Sequence, residues 1–401
     1  MLGLNSAPRR ACPSNRSIDV PAAMPWLVAL AVYLLLMVLG NRLLGDADTY
    51  WHITLGRLIL EQRALPTGEA LSQTVHATHW VAYEWLAQIA YAAACALGGW
   101  VAVAALTAAA AAFGLLARYL LKYWRPTPTL AAVLAALVLT SPHIMARPHV
   151  LALPLMVTWI AALIRAVDTA RPPSWWLLPL LTLWANLHGS FIFGLAMTGV
   201  IAGEAIWLAP APQRRRVATD WIAFAALALG AVCLNPYGPE LILATIRILS
   251  LGQALALIVE WRPQDFSKLG AYEMVVLAGM GLALWRGVRL PPFRILMLLG
   301  VLHFSLAQSR HPDLLGMLAP LLLARPLAMQ FAMLAANSGE AELHRPLHWS
   351  WLPAAAALLL AAAGRHRRQR RPRQHRARCR HHAFRDHARR ESEFLFRHCR
   401  A

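Results

Sequence analysis

Asp46, Asp48 and His52 follow directly on the first long apolar run of the chain, in the stretch "LLGDADTYWHITLGRLI" that begins at Leu43. A carboxylate beside a bilayer can take a proton from a substrate hydroxyl or hold a divalent cation, and a neighbouring imidazole can share that work. If residues 49–63 form a helix, Asp48, His52 and Gly56 recur every four residues and share one face. A structural reading competes: Asp48 as the N-cap, Asp46 meeting the helix dipole, and His52 packed beneath. Capping needs only one acid, and the second is what points to catalysis. Asp46, Asp48 and His52 are therefore the candidate catalytic residues.

The elements that must position these groups are membrane helices. The 401 residues are 58% hydrophobic and 14% charged, with a mean hydropathy of +0.48, whereas a soluble chain carries about 25% charged residues. Apolar runs of membrane length recur at 25–44, 100–121, 128–142, 150–167, 174–187, 191–209, 217–234, 271–285, 293–308, 313–329 and 350–363. The expected fold class is an all-α, polytopic helical membrane protein of about eleven spans, with one or two interfacial helices in the first loop. The first run lacks a cleavage site and reads as an uncleaved span. The segment 81–97 places Glu84, Gln88 and Tyr91 on one helical face, which suits a helix lying in the interface or packed on the bundle.

Charge sets the expected sidedness. With residues 1–24 cytoplasmic and 81–97 not crossing, Arg118/Lys122/Arg125, Arg165/Arg171, Arg214–Arg216 and Arg286/Arg289/Arg294 all fall inside. The first outer loop then covers 45–99. The polar segments "GDADTYWH", "SPHIMARPH", "NLHGS", "NPYGPE", "EWRPQD" and "SRHPD" gather on the opposite, extracytoplasmic side. Ionisable groups at membrane edges are costly unless paired or used, so this face is the expected site.

A net charge of +19 suggests nucleic acid, but residues 364–401 hold fourteen arginines against three acids and account for +11 of it. The rest is ordinary for basic cytoplasmic loops, and no nucleic-acid partner is expected. The Arg/His-rich tail fits a polybasic segment on an anionic surface or a shifted reading frame of a GC-rich gene. The His/Arg/Ala mixture favours the frameshift. The five cysteines have neither metal-site nor disulfide-framework spacing.

The stretch from Asp46 to Leu86 resembles the first outer loop of a group of large bacterial polytopic membrane proteins. Their pattern is D-x-D-x-x-W-H-x-x-x-G, then Pro, a Ser/Thr pair and W-x-x-x-E-W-L. "ARPH", "WANLHGSF", "NPYG" and "EWRPQDF" extend the resemblance over roughly 40–325. That group is remotely similar to the C-type membrane glycosyltransferases (GT-C). The resemblance implies transfer of a sugar from a polyprenyl-phosphate donor at the outer face of a bacterial cytoplasmic membrane. Asp46 or Asp48 would be the base or metal ligand, with His52 beside it. Glu84, Arg147, His149, His188, Arg262, Arg310 and His311 would be substrate-binding residues, the cations stabilising the phosphate leaving group. Membrane lipids and the lipid-linked donor are the implied partners; a divalent metal is compatible with the acids, but no metal site is specified. His76 and His79 could pair on a metal with Asp48, but no fourth ligand is evident. The sequence departs from the pattern at Gly68-Glu69, where an aspartate is usual, and in its tail. The alternative is a non-catalytic membrane protein, a transporter or an assembly factor for envelope polysaccharide. Mid-span regions of Ala and Leu, with Glu204 and Glu273 only near span ends, speak against transport.

Overall fold

The computed structural model describes residues 20–68, 79–105 and 109–336. These form fourteen α-helices and, among the described residues, no β-strand. The N-terminal segment and the Arg/His-rich tail lie outside the described residues, as do His76, Glu69 and the apolar run at 350–363.

The helices are α1 (Val20–Val38), α2 (Gly40–Leu43), α3 (Ala47–Gln62), α4 (Trp85–Ala105), α5 (Ala109–Leu120), α6 (Pro126–Thr140) and α7 (Pro148–Asp168). After them come α8 (Leu178–Leu187), α9 (Phe191–Leu208), α10 (Arg214–Val232), α11 (Glu240–Leu249), α12 (Ala271–Arg286), α13 (Pro292–Ala307) and α14 (Pro312–Gln330). Pro126, Pro148, Pro292 and Pro312 open α6, α7, α13 and α14. A first-turn proline loses no helical hydrogen bond and presets φ. Gly287, at φ 61°, ends α12 in the left-handed conformation.

Four helices are long and apolar enough to cross a membrane: Trp85–Ala104, Pro148–Asp168, Phe191–Leu208 and Pro312–Gln330. Shorter apolar helices flank them, Ala22–Val38 and Pro292–Ala307 among them. The chain is a membrane-embedded helical protein. The apolar runs read from the sequence coincide with helices wherever the residues are described. The first loop is different. A helix of crossing length begins at Trp85, inside the first-loop segment expected to hold an interfacial helix, and Gly99 interrupts it with φ 65° and ψ −153°. Only glycine tolerates that conformation, so the interruption falls between the two segments, 81–97 and 100–121, that the sequence separates.

The core is built around α7. Trp159, Ile160, Leu163 and Ile164 are fully buried, and Trp159 stacks on Phe224 of α10 with ring centroids 5.6 Å apart. Outward-facing Trp176, Trp207, Leu284 and Trp285 are exposed, as lipid-facing side chains are. Small residues let helices close up, since association within lipid depends on packing rather than on expelling water. Gly114 of α5 lies against Pro25 and Ala29 of α1, and Gly56 of α3 against Gln88 and Ala92 of α4.

Both ends of α7 carry charge. At its last residue, Asp168 meets Arg294 of α13 at 3.0 Å and Arg325 of α14 at 3.5 Å, and accepts from Tyr123 at 3.1 Å. Arg294 also donates to Glu204 of α9 at 2.6 Å. Two cations and two acids balance there and join four helices. Twenty-one residues at about 1.5 Å each separate this cluster from Arg147, roughly 30 Å, the thickness of a hydrocarbon core.

Candidate functional site

Arg147 is the residue before α7, held in extended backbone by the proline that follows it. Three contacts fix this turn. Ala146 donates its N–H to the Leu43 carbonyl at 2.8 Å, Thr49 bonds the Ala146 carbonyl at 3.2 Å, and Tyr91 bonds the Arg147 carbonyl at 2.9 Å. The guanidinium therefore projects into a ring of acids. Its Nε pairs with Asp46 in a very short contact, and Nη2 reaches Asp46 Oδ1 at 3.1 Å. Nη2 also lies 2.9 Å from Asp48, and Nη1 donates to Glu260 at 2.6 Å.

This arrangement separates the two aspartates. The cap of α3 is Asp46 and not the expected Asp48, which falls inside the first turn: Asp46 accepts from the Asp48 N–H at 3.0 Å while binding Arg147. Burial raises its pKa, but the Arg147 and Asp48 hydrogen bonds outweigh that, and its carboxyl sits below the usual range. Asp48 keeps 59% of its side chain exposed. Partial burial, with Asp46 and Glu260 repelling it, raises its carboxyl above the ordinary value despite Arg147. Of the pair, Asp48 is the one open to a substrate.

Beside Arg147 a narrow cleft opens among the starts of α7, α9 and α14. Its polar wall comprises His143, Arg147, His149, His188, Ser190, Glu260, Arg310, His311 and Asp313, and Leu153, Met156 and Phe193 supply apolar surface. Arg310 lies 4.5 Å over the Trp261 ring and donates its backbone N–H to the Glu260 carbonyl at 3.1 Å. Ser309 donates to the Arg262 carbonyl at 2.8 Å, so the turns at 258–262 and 308–312 are stitched together. Arg310 makes no ion pair among the described residues. His311 packs edge-on against Phe193 and Phe304. Burial first, then the Arg310 charge, pushes its pKa down to about 3, so it is neutral. His149 bonds the His143 carbonyl at 2.9 Å.

Behind the cleft a second group centres on Glu84, just before α4. Glu84 lies 3.4 Å from His188 Nε2 and 3.9 Å from His52 Nδ1. Burial pushes the Glu84 carboxyl up to about 8, and burial with the Arg147 charge pushes His52 down to about 4. His52 Nδ1 is buried with no hydrogen-bond partner. His188 Nδ1 meets the Ser190 hydroxyl at 2.8 Å, and Trp184 Nε1 donates to the same oxygen at 2.9 Å.

All six polar segments named from the sequence meet at this end. Asp46 reaches Arg147 and Glu260, His188 reaches Glu84, Arg310 covers Trp261, and Tyr237 accepts from the Ala82 N–H at 3.2 Å. Arg147, His149, His188, Arg310 and His311 line one cleft; Asp46, His52 and Glu84 are buried outside its lining, and Asp48, exposed, meets it through Arg147. Two expectations change. Arg147 cannot serve as a free phosphate donor, because three carboxylates already occupy its hydrogen-bonding fork. Arg262 sits on an exposed turn and does not line the cleft; its backbone carbonyl, bonded by Ser309, is what fixes the neighbouring turn. His79 pairs with Glu240 at 2.7 Å rather than with Asp48, and no group of three metal-ligating side chains occurs among the described residues. Glu260, His143, Ser190 and Asp313 are site residues that the sequence reading did not single out. Each lies in a polar segment already named, but nothing in spacing distinguished them from loop residues. Comparison with protein-family models, with curated proteins and with solved structures finds no match for this chain.

Proposed function

We propose that the protein is a membrane glycosyltransferase-like enzyme that takes a sugar from a polyprenyl-phosphate donor at the outer face of a bacterial cytoplasmic membrane. The observation that carries this reading is Arg310. It is a cleft cation with no acid upon it among the described residues, beside apolar surface and neutral histidines able to donate hydrogen bonds. A phosphate developing charge as it leaves needs such a donor, already oriented and partly withdrawn from water. Asp48, at the rim, receives the acceptor hydroxyl or a divalent cation. Asp46 holds Arg147, and Arg147 holds the three-acid frame. The N-terminus is cytoplasmic in this reading, which puts the four basic clusters inside and the cleft outside.

The test is transfer of labelled sugar from a polyprenyl-phosphate pool in membranes carrying variants. Arg310→Gln should lower transfer by about 10²-fold, mostly through weaker use of donor, in line with loss of a charge-assisted contact. Wild-type transfer by Arg310→Gln refutes the assignment.

The transporter alternative finds one supporting observation in the Asp168–Glu204–Arg294–Arg325 cluster, since ionisable groups buried among spanning helices often mark pathways. That cluster is charge-balanced, with the Arg294 and Glu204 side chains each 3% exposed. Those properties describe a tie between helices better than a carrier site.

A further inference from the structure

Three groups lead inward from the cleft: the Ser190 hydroxyl and the His188 ring on its wall, and the Glu84 carboxyl behind them. Ser190 occupies the N-cap of α9, where a serine ordinarily bonds a first-turn N–H, yet its side chain makes no such bond. It turns instead to His188 Nδ1, at 2.8 Å. The Ser190 backbone N–H also points at Nδ1, at 3.1 Å. A backbone N–H can only donate, so Nδ1 carries no proton, and the neutral ring carries its proton on Nε2. Nε2 faces Glu84 Oε1 at 3.4 Å, a separation of the kind that tightens when substrate closes a site. Trp184 Nε1 donates to the Ser190 oxygen at 2.9 Å and would stabilise negative charge there. Beyond Glu84, the unpartnered His52 Nδ1 faces Oε2 at 3.9 Å, a ready acceptor when Glu84 is protonated.

We infer that Ser190, His188 and Glu84 form a proton relay in which Ser190 is an activated hydroxyl serving the cleft. The tautomer gives the relay one direction: a proton enters at Ser190 and Nδ1 and leaves from Nε2 to Glu84. It works as a base, not as an acid. This rests on the transfer reading and names the base for it. As the acceptor oxygen bonds the anomeric carbon of the sugar, the carbon–oxygen bond to the phosphate breaks and its electron pair leaves with the phosphate. The acceptor proton passes to Ser190 Oγ, the Ser190 proton to His188 Nδ1, and the Nε2 proton to Glu84. Glu84 ends neutral, the state its burial favours, so the relay runs from the ionised form of Glu84, whose share grows as pH rises toward about 8. Asp48, outside the cleft lining, then orients the acceptor rather than deprotonating it.

An activated serine can be read without any sugar donor. The full-length protein in detergent micelles is treated with a fluorophosphonate probe. The serine oxygen bonds phosphorus, fluoride leaves, and the serine proton goes to His188. Mass spectrometry should find the adduct on Ser190. Ser190→Ala should abolish it, and Glu84→Gln should slow it by about 10²-fold, the scale of a lost base. Ser141→Ala should change nothing, since that exposed hydroxyl bonds only the Val138 carbonyl. Unmodified Ser190 in the wild-type protein overturns the relay, whatever the variants do. So does labelling of Glu84→Gln at the wild-type rate. Sugar transfer with an inert Ser190 refutes the relay and leaves the transferase reading standing; a labelled Ser190 without sugar transfer does the reverse.

Discussion

Replacing Arg147 by Gln should invert the pH dependence of the protein's stability. The Arg147 side chain is 17% exposed and that of its partner Asp46 8% exposed, so the pair is buried and neither charge can turn to water. Removing one partner of such a pair costs about 3–5 kcal/mol, chiefly for the charge left behind. The contact with Asp48, whose side chain is 59% exposed, is screened by water and adds little. Gln keeps one N–H for Asp46, which places the expected loss near the lower end, about 3 kcal/mol at neutral pH. In the wild type the Asp46 carboxyl titrates below its ordinary value. Its contribution is therefore present above the unfolded pKa and lost as pH falls through the folded one. Without Arg147, Asp46 and Asp48 are crowded, partly buried carboxylates facing Glu260 with no cation between them, and their folded pKa values rise. Stability is then lost as pH rises above the unfolded values and regained on acidification. Thermal unfolding in micelles, followed by circular dichroism at about pH 7.5 and about pH 4.5, should show the gap from wild type closing at the lower pH. A gap below about 1 kcal/mol at neutral pH, or one that widens on acidification, refutes the argument.

The paired variants Asp46→Asn and Asp48→Asn should part company: Asn preserves the α3 cap in the first but loses the buried charge pair, so stability falls, while the second leaves stability within about 0.5 kcal/mol and lowers sugar transfer. Comparing melting and transfer for both decides it, and equal melting temperatures would count against the division of labour. Gly56→Ala should cost about 3 kcal/mol or more, because the added methyl falls on the Gln88 carbonyl and within 2.9 Å of Ala92 Cβ, and backbone cannot step aside; unchanged melting would contradict the close α3–α4 approach. Arg294→Met should destabilise by about 3–5 kcal/mol by stranding Glu204 and Asp168, and adding Glu204→Gln should recover part of that loss, a coupling that a double-mutant cycle measures.

The membrane class and the helix positions were legible in the sequence, because apolar length is a local property that the bilayer reads directly. So was the gathering of chemistry at one end. Asp46, Arg147, His188, Arg310 and His311 lie at helix termini that successive spans must bring to the same side, and the structure joins their segments by direct contacts. Roles within the site were not legible. Asp46 and Asp48 are two residues apart and chemically identical, and only the approach of Arg147, 101 residues beyond Asp46, makes one a buried counter-ion and leaves the other open. Arg147 and Arg310 both precede or adjoin a proline-led helix, yet three carboxylates converge on the first and only an aromatic face on the second. Glu84 was legible as a polar residue at an interface, but its proton affinity depends on burial between two histidines from α3 and from the end of α8. Charge, burial and tautomer are set by neighbours distant in the chain, so they exist only once the helices have packed.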